Sequence, residues 1–189
     1  MRKLALMLCF LMSLTAFMSA QKKLCFEEEE LTFILDKDVF TVQGVYRFSS
    51  PEEGDFYIQY PFPSDSIYSK PFDVAVRYFN SGKAIDFRPD RNFENIHFKT
   101  LVNKDTPVYI QYSQSLKDHK AKYILLTTKH WNVPLKRSSF KLVTDTSTVI
   151  RSFSYEPEKQ IVVGNQKIYF WTKEQFWPQK DFEIEFDRK

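Results

Sequence analysis

The three histidines of this 189-residue chain are the first candidates for catalysis or metal binding, because imidazole serves both. No two of His97, His119 and His130 stand four residues apart, the helical spacing of zinc hydrolases. There is no Gly-x-Ser-x-Gly motif, and the four glycines are isolated, as at turns and bulges, not grouped into a phosphate-binding loop. The sequence therefore predicts no catalytic residue, no metal site and no cofactor.

Acidic residues offer a second kind of chemistry, as calcium ligands or as a catalytic carboxylate pair. The most concentrated acids are the run Glu27–Glu30 and the pair Asp36 and Asp38. Four consecutive glutamates on a strand point alternately to its two faces, so they do not converge on one ion. We interpret the run as a solvated arm or an edge strand, since edge strands commonly carry charge against aggregation.

Aromatic side chains are the strongest candidates for ligand contacts, because clustered rings stack on sugars or hold apolar ligands. The candidates lie opposite the expected core face of a strand or in a loop: Tyr57, Tyr109, Trp131, Tyr169, Trp171 and Trp177. If Tyr57, Tyr109, Tyr169 and Trp171 serve a ligand, at least three of these four should share one exposed face or line one cavity. We favour the alternative that they are covered by a second sheet or a loop, since large exposed apolar patches are unusual on monomers.

The elements that would position these side chains are β-strands. Apolar and polar residues alternate in segments 40–48, 56–60, 72–78, 96–98, 108–112 and 182–186, which places each apolar set on one side of a strand. Asn80–Lys83 is the strongest hairpin signal, because Gly82 permits the left-handed conformation that tight turns favour. Tyr123–Leu126 is apolar at consecutive positions, which predicts a central strand buried on both faces. The pattern predicts an all-β fold, an antiparallel β-sandwich of about ten to twelve short strands.

The first twenty residues have the three parts of a secretory signal peptide. Arg2 and Lys3 precede a short apolar run, and Met18–Ala20 ends it with small residues. The run is too short to span a bilayer comfortably, although an uncleaved N-terminal anchor is the alternative. We expect a signal peptide at 1–20, one β-sandwich domain at 21–189 with no transmembrane span, and a periplasmic or extracellular location.

Charge and cysteine content limit the partners of the mature chain. The signal peptide holds two of the 27 basic residues and none of the 24 acidic ones, which leaves 25 against 24 and a formal charge of +1. A near-neutral balance does not favour nucleic acid binding. Cys9 leaves with the signal peptide, so Cys25 is either a thiol for pairing with another chain or, as we prefer, a small buried residue at a strand start.

One resemblance covers the last third of the chain. The stretch Tyr123–Thr128, followed by Trp131 and Pro134, resembles a segment of exported bacterial β-sandwich proteins of uncharacterised function. Trp177-Pro178 before the alternating segment 182–186 is similar to the same proteins. The resemblance implies a fold and an exported location, but no activity and no catalytic residue.

The leading functional hypothesis is a non-catalytic binding or interaction module of the bacterial cell envelope, with an unknown protein or glycan partner. One alternative is a carbohydrate-binding module that uses exposed aromatic side chains. A second is a lipid-binding β-barrel, whose size and export fit, but Gly44-Val45-Tyr46 departs from the glycine–x–tryptophan start of such proteins. A hydrolase is the third, and it lacks every motif sought above.

Overall fold

The computed structural model describes residues 24–102 and 106–188, so the expected signal peptide at 1–20 and residues 103–105 lie outside the described residues. Over these ranges the chain forms strands and one short 3-10 helix, which confirms the all-β prediction. The strands are β1 (Cys25–Asp36), β2 (Val39–Ser49), β3 (Gly54–Pro61), β4 (Phe72–Tyr78), β5 (Phe87–Pro89), β6 (Asn95–Val102), β7 (Val108–Ser115), β8 (Lys120–Tyr123), β9 (Leu135–Asp145), β10 (Thr148–Phe153), β11 (Lys159–Val163), β12 (Gln166–Phe176) and β13 (Phe182–Arg188). The 3-10 helix is Leu126–Trp131, and no helix of the described chain is long and apolar enough to cross a membrane.

The strands form one large sheet and two small ones. The seven-stranded sheet has the order β11-β12-β9-β1-β2-β7-β4, and the three-stranded sheets have the orders β10-β13-β8 and β3-β6-β5. Neighbouring strands are antiparallel except for β1 and β9, which pair in parallel. The predicted antiparallel sandwich is therefore confirmed with one exception, and that exception needs the long crossover that β2–β8 provide.

The core lies between one face of the large sheet and the two small sheets. From β1, the ring of Phe33 stacks on Phe182 of β13 with 4.6 Å between centroids. Near the other small sheet, Tyr60 of β3 meets Tyr112 of β7 edge-on at 6.2 Å. Alternate residues of the central strands supply this core face, as the period of two predicts. Burial of each large aromatic or aliphatic side chain stabilises the fold by roughly 1.5–3 kcal/mol.

The hairpin predicted at Asn80–Lys83 is confirmed in a short form. The Tyr78 N–H donates to the Lys83 carbonyl at 2.9 Å, and Gly82 has the positive φ of 68° that the turn requires. Arg77 and Ala84 form an antiparallel bridge. The pairing stops there because the following strand, β5, pairs with β6 instead.

The prediction of a doubly buried central strand at Tyr123–Leu126 is wrong. Strand β8 ends at Tyr123 and lies at the edge of its sheet, and the 3-10 helix begins three residues later. The N–H groups of Leu125 and Leu126 donate to Asp181 Oδ1 at 2.9 and 3.0 Å. These two hydrogen bonds stabilise the turn that ends the strand. A run of four apolar residues could not predict this turn, because it depends on the distant Asp181.

The interpretation of Glu27–Glu30 as a solvated arm or an edge strand is also wrong. The run lies in β1, which is central in the seven-stranded sheet, between β2 and β9. Charge is tolerated there because Lys136 Nζ lies 2.8 Å from Glu27 and Arg47 lies 3.1 Å from Glu30. Glu29 instead points to the core face and is 1% exposed.

Candidate functional site

A surface groove of about 380 Å³ lies between β3 and the 3-10 helix. We call it the Trp131 groove, and it is lined by Tyr57, Ile58, Gln59, Pro61, Asn95, Thr127, His130 and Trp131. Tyr57 is 81% exposed, whereas Trp131 is half-buried. The groove therefore presents one free ring and one anchored ring beside amide and imidazole groups.

Local structure explains how the groove forms. Alternation along β3 buries Phe56, Ile58 and Tyr60 and leaves Tyr57 and Gln59 on the outer face. The amide Nε2 of Gln59 donates to Asn95 Oδ1 at 2.9 Å. Two polar side chains are thus held together at the groove wall.

The opposite wall is the end of the 3-10 helix. Asn132 follows it in the left-handed conformation, with φ 57°, and its N–H donates to the Lys129 carbonyl. The preceding Trp131 ring packs on Phe26 and Phe48, with centroid distances of 6.1 and 5.9 Å. The ring is therefore fixed by the core, and its other side borders the groove.

A smaller pocket of about 60 Å³ adjoins the groove and shares part of its lining, including Ile58, Gln59 and Trp131. We call it the inner pocket. Six aromatic residues line it: Phe26, Tyr46, Phe48, Tyr60, Tyr123 and Trp131. A water needs roughly 10–15 Å³ of such volume, whereas whole-ligand sites are roughly 300–1,000 Å³. The inner pocket therefore has room for one small group of a ligand whose remainder would lie in the groove.

Behind the inner pocket is a buried polar cluster, the Glu29 cluster, formed by Glu29, Tyr46, Tyr60, Tyr123 and Ser138. Strand register places Tyr46, Glu29 and Ser138 side by side on β2, β1 and β9. Ser138 Oγ donates to Glu29 Oε1 at 2.6 Å, and the Tyr123 hydroxyl donates to Glu29 Oε2 at 3.4 Å. The Tyr46 hydroxyl lies 3.1 Å from that of Tyr123 and 2.8 Å from that of Tyr60. A hydrogen-bonded chain thus joins a buried carboxyl to the pocket wall.

Burial controls the charge of this cluster. Desolvation raises the pKa of Glu29 to about 7, although the hydrogen bonds from Ser138 and Tyr123 partly oppose the shift. Desolvation also raises the pKa of the Tyr46, Tyr60 and Tyr123 hydroxyls well above their usual value, so they stay neutral. Near neutral pH, Glu29 is the group in the cluster whose charge changes.

Gly44 makes the position of Tyr46 possible. The two residues lie on the same face of β2, and a Cβ atom at Gly44 would overlap the phenol of Tyr46. Gly44 pairs in regular register with Leu31 and Ile110. It therefore lies at neither a turn nor a bulge, and the prediction drawn from its isolation in the sequence is wrong for this glycine. The glycine allows a close approach, which brings the Tyr46 hydroxyl to Tyr60 and Tyr123.

The structure separates the six aromatic residues predicted to contact a ligand. Tyr57 and Trp131 share the groove, whereas Tyr109, Tyr169 and Trp171 do not line it. Tyr169 and Trp171 are buried in the core, in agreement with the favoured structural interpretation. Tyr109 lies on the outer face of the seven-stranded sheet, where its hydroxyl donates to Gln111, and Trp177 follows β12 and is 39% exposed.

Sequence reasoning missed Glu29 and its tyrosine partners. Tyr46 and Tyr60 occupy core-face positions of alternating strands, and a buried phenol usually has a hydrogen-bond partner. Two such tyrosines are a signal of an internal polar group. The three histidines are exposed, and the described residues contain no group of three or more histidine, cysteine, aspartate or glutamate side chains able to hold a metal ion.

Comparisons with known proteins identify the fold alone. No family model and no curated protein matches the chain. Among solved structures, it is similar to a Legionella pneumophila protein that is provisionally described as nutrient-binding, with a TM-score of 0.67 and 16% identity over 88% of this chain and 67% of that one.

Structures of an M1 zinc metallopeptidase of Deinococcus radiodurans are also similar. A substrate-bound variant gives a TM-score of 0.54 at 8% identity over 86% of this chain, and the structure with no stated ligand gives 0.51 at 8% over 87%. The chain spans 42% of the length of each metallopeptidase chain. At these identities the likeness shows a β-rich fold that occurs in bacterial proteins, as the resemblance of the last third had implied.

Proposed function

We propose that the chain is a non-catalytic binding module exported to the bacterial cell envelope, and that the Trp131 groove with its inner pocket is its ligand site. The observation that carries the proposal is the exposed Tyr57 ring facing a groove that ends in a small aromatic pocket. Such a combination of apolar walls with a few fixed polar groups is typical of small-ligand sites. The export part rests on the three-part N-terminus of the sequence.

The arrangement supports binding more than catalysis. Glu29 is the one acidic or basic side chain buried in the core of the described residues, and Tyr123 stands between its carboxyl and the inner pocket. The Glu29 carboxyl therefore acts on a bound ligand through its hydrogen bond with Tyr123 and not by direct contact. The nutrient-binding description of the Legionella protein is compatible with this function. The proposal itself rests on the groove of this chain and not on that description.

Carbohydrate binding is the second candidate, because Tyr57 presents a free ring beside the paired amides of Gln59 and Asn95. Amides that bond sugar hydroxyls next to a stacking ring are suited to a glycan. The lipid-binding barrel is less well supported. Each of the three described sheets is open and ends in edge strands, whereas a barrel closes one sheet on itself.

The proposal predicts a strong effect of removing the groove rings. Tyr57→Ala and Trp131→Ala should each weaken binding of any ligand found in a calorimetric screen of sugars, amino acids and short peptides by roughly tenfold. Tyr57→Ala is the cleaner variant, because Tyr57 is exposed and its loss leaves the core intact.

Trp177→Ala is the matched control, since it removes an exposed tryptophan outside the groove and should leave affinity unchanged. A ligand that binds wild type, Tyr57→Ala and Trp131→Ala with equal affinity would show that the groove is not the site.

A further inference from the structure

The hydroxyl groups of the Glu29 cluster form a chain of fixed direction when Glu29 is ionised. A carboxylate accepts hydrogen bonds and cannot donate, so Tyr123 donates to it. Tyr123 then accepts from Tyr46 across 3.1 Å, and Tyr46 accepts from Tyr60 across 2.8 Å. All three phenol hydrogens are used within the cluster. The phenol oxygens that line the inner pocket therefore offer it lone pairs and no donor.

The opposite wall of the inner pocket is a contiguous group of ring faces and edges. Phe26 lies 5.2 Å from Phe48 and 6.1 Å from Trp131, and Phe48 lies 5.9 Å from Trp131, measured between centroids. Aromatic faces attract cations through their quadrupoles, and rings that surround a small volume recognise substituted ammonium groups. A positively charged group that also donates hydrogen bonds thus suits both walls.

The carboxylate behind the pocket lacks a positive partner in the described chain. No ion pair involves Glu29 there, and its pKa is moved by burial and by two hydrogen bonds. The polar side chains around the Glu29 carboxyl, from the cluster itself and from β7, are all uncharged near neutral pH: Tyr46, Tyr60, Tyr112, Tyr123 and Ser138. A cation in the inner pocket would supply the missing charge across Tyr123.

We propose that the inner pocket takes an alkylammonium head group that is primary or carries one or two methyl groups, so that at least one N–H remains. The proposal rests on the proposed ligand site and names the chemistry of its inner end. The ammonium group donates to the phenol oxygens of Tyr46 and Tyr60, and its alkyl carbons lie against Phe26, Phe48 and Trp131. The rest of the ligand occupies the groove. Binding favours the ionised form of Glu29, so a proton leaves the protein when the cation enters.

Ethylammonium and ethanol test the head group directly, because they match in size and differ in charge. A pocket of about 60 Å³ accommodates only a few heavy atoms. For such small probes we expect a dissociation constant on the order of millimolar for ethylammonium in an NMR titration. Ethanol should bind at least roughly tenfold more weakly. Calorimetry at pH 6 in two buffers of different ionisation enthalpy should show proton release with ethylammonium and none with ethanol.

Glu29→Gln keeps the side-chain shape and removes the charge. It should lose both the preference for ethylammonium and the proton release, whereas the control Glu30→Gln, exposed on the same strand, should keep both. If the Gln variant is not folded by circular dichroism, carboxyl NMR of ¹³C-glutamate wild type replaces it. The Glu29 pKa should then fall on addition of ethylammonium and not of ethanol.

Equal affinity for ethylammonium and ethanol in the wild type would overturn the cation proposal, as would an unchanged Glu29 pKa. A groove ligand without an amino group, whose binding depends on Trp131, would also overturn it but would leave the binding module intact. If Trp131→Ala changed the affinity for none of the ligands, the proposed site itself would be contradicted.

Discussion

Replacement of Trp171 by alanine is expected to lower the free energy of unfolding by about 3–5 kcal/mol. The side chain is 1% exposed, and its ring meets Phe182 edge-on at 5.2 Å and Phe153 at 5.5 Å. Its Nε1–H donates to the Tyr155 carbonyl at 2.8 Å, so truncation leaves a cavity and removes a hydrogen bond. Urea unfolding followed by circular dichroism measures the change.

Trp177→Ala is the matched control for that experiment. Trp177 is 39% exposed, and its replacement should change the unfolding free energy by less than about 1 kcal/mol. Equal unfolding midpoints for the Trp171→Ala variant and the wild type would contradict the placement of Trp171 between the large sheet and β13.

The stability difference between Glu29→Gln and wild type is expected to change with pH by about 3 kcal/mol. Burial raises the pKa of Glu29 to about 7 in the folded protein, against 4.5 for the ordinary side chain. The folded state therefore holds the proton more tightly than the unfolded state. The stability contributed by the protonated group is fully present below pH 4.5 and is lost as pH rises through 7.

Glutamine resembles the protonated acid and does not titrate. The variant should therefore match the wild type near pH 4 and be more stable near pH 8, by the amount that the wild type has lost. Glu30→Gln, at an exposed position of the same strand, should show no such growth with pH. Urea unfolding of the three proteins at both pH values measures these differences in unfolding free energy. If the difference between Glu29→Gln and wild type were the same at both pH values, Glu29 would not be held in its buried, protonated form.

The strands themselves could be predicted from the sequence because alternation is local. Phe40, Val42, Tyr46 and Phe48 lie on one face of β2 as their spacing indicates, since successive side chains of any strand point to opposite faces. Turn chemistry is equally local, and Gly82 has the conformation that its position in Asn80–Lys83 predicted. The fold class and the hairpin therefore required no knowledge of neighbouring strands.

The candidate site could not be predicted in the same way, because its residues meet across long stretches of chain. Glu29 bonds to Tyr123 and Ser138, which are 94 and 109 residues away. Alternation shows that Glu29 and Leu31 share a face, but it cannot show whether that face is covered or which strand lies beside it. The four glutamates therefore indicated an edge strand, while the strand order placed them at the centre of the largest sheet.

The sequence by itself determined which residues form strands and which side chains share a face, since both follow from backbone geometry over a few residues. The tertiary structure alone decided strand order, which faces are covered, and hence which polar groups lose water. Tyr57 and Trp171 are both aromatic residues that the pattern placed opposite the core, yet one is exposed at a groove and the other is enclosed. Packing between distant strands made that difference, and through desolvation it also set the charge of Glu29.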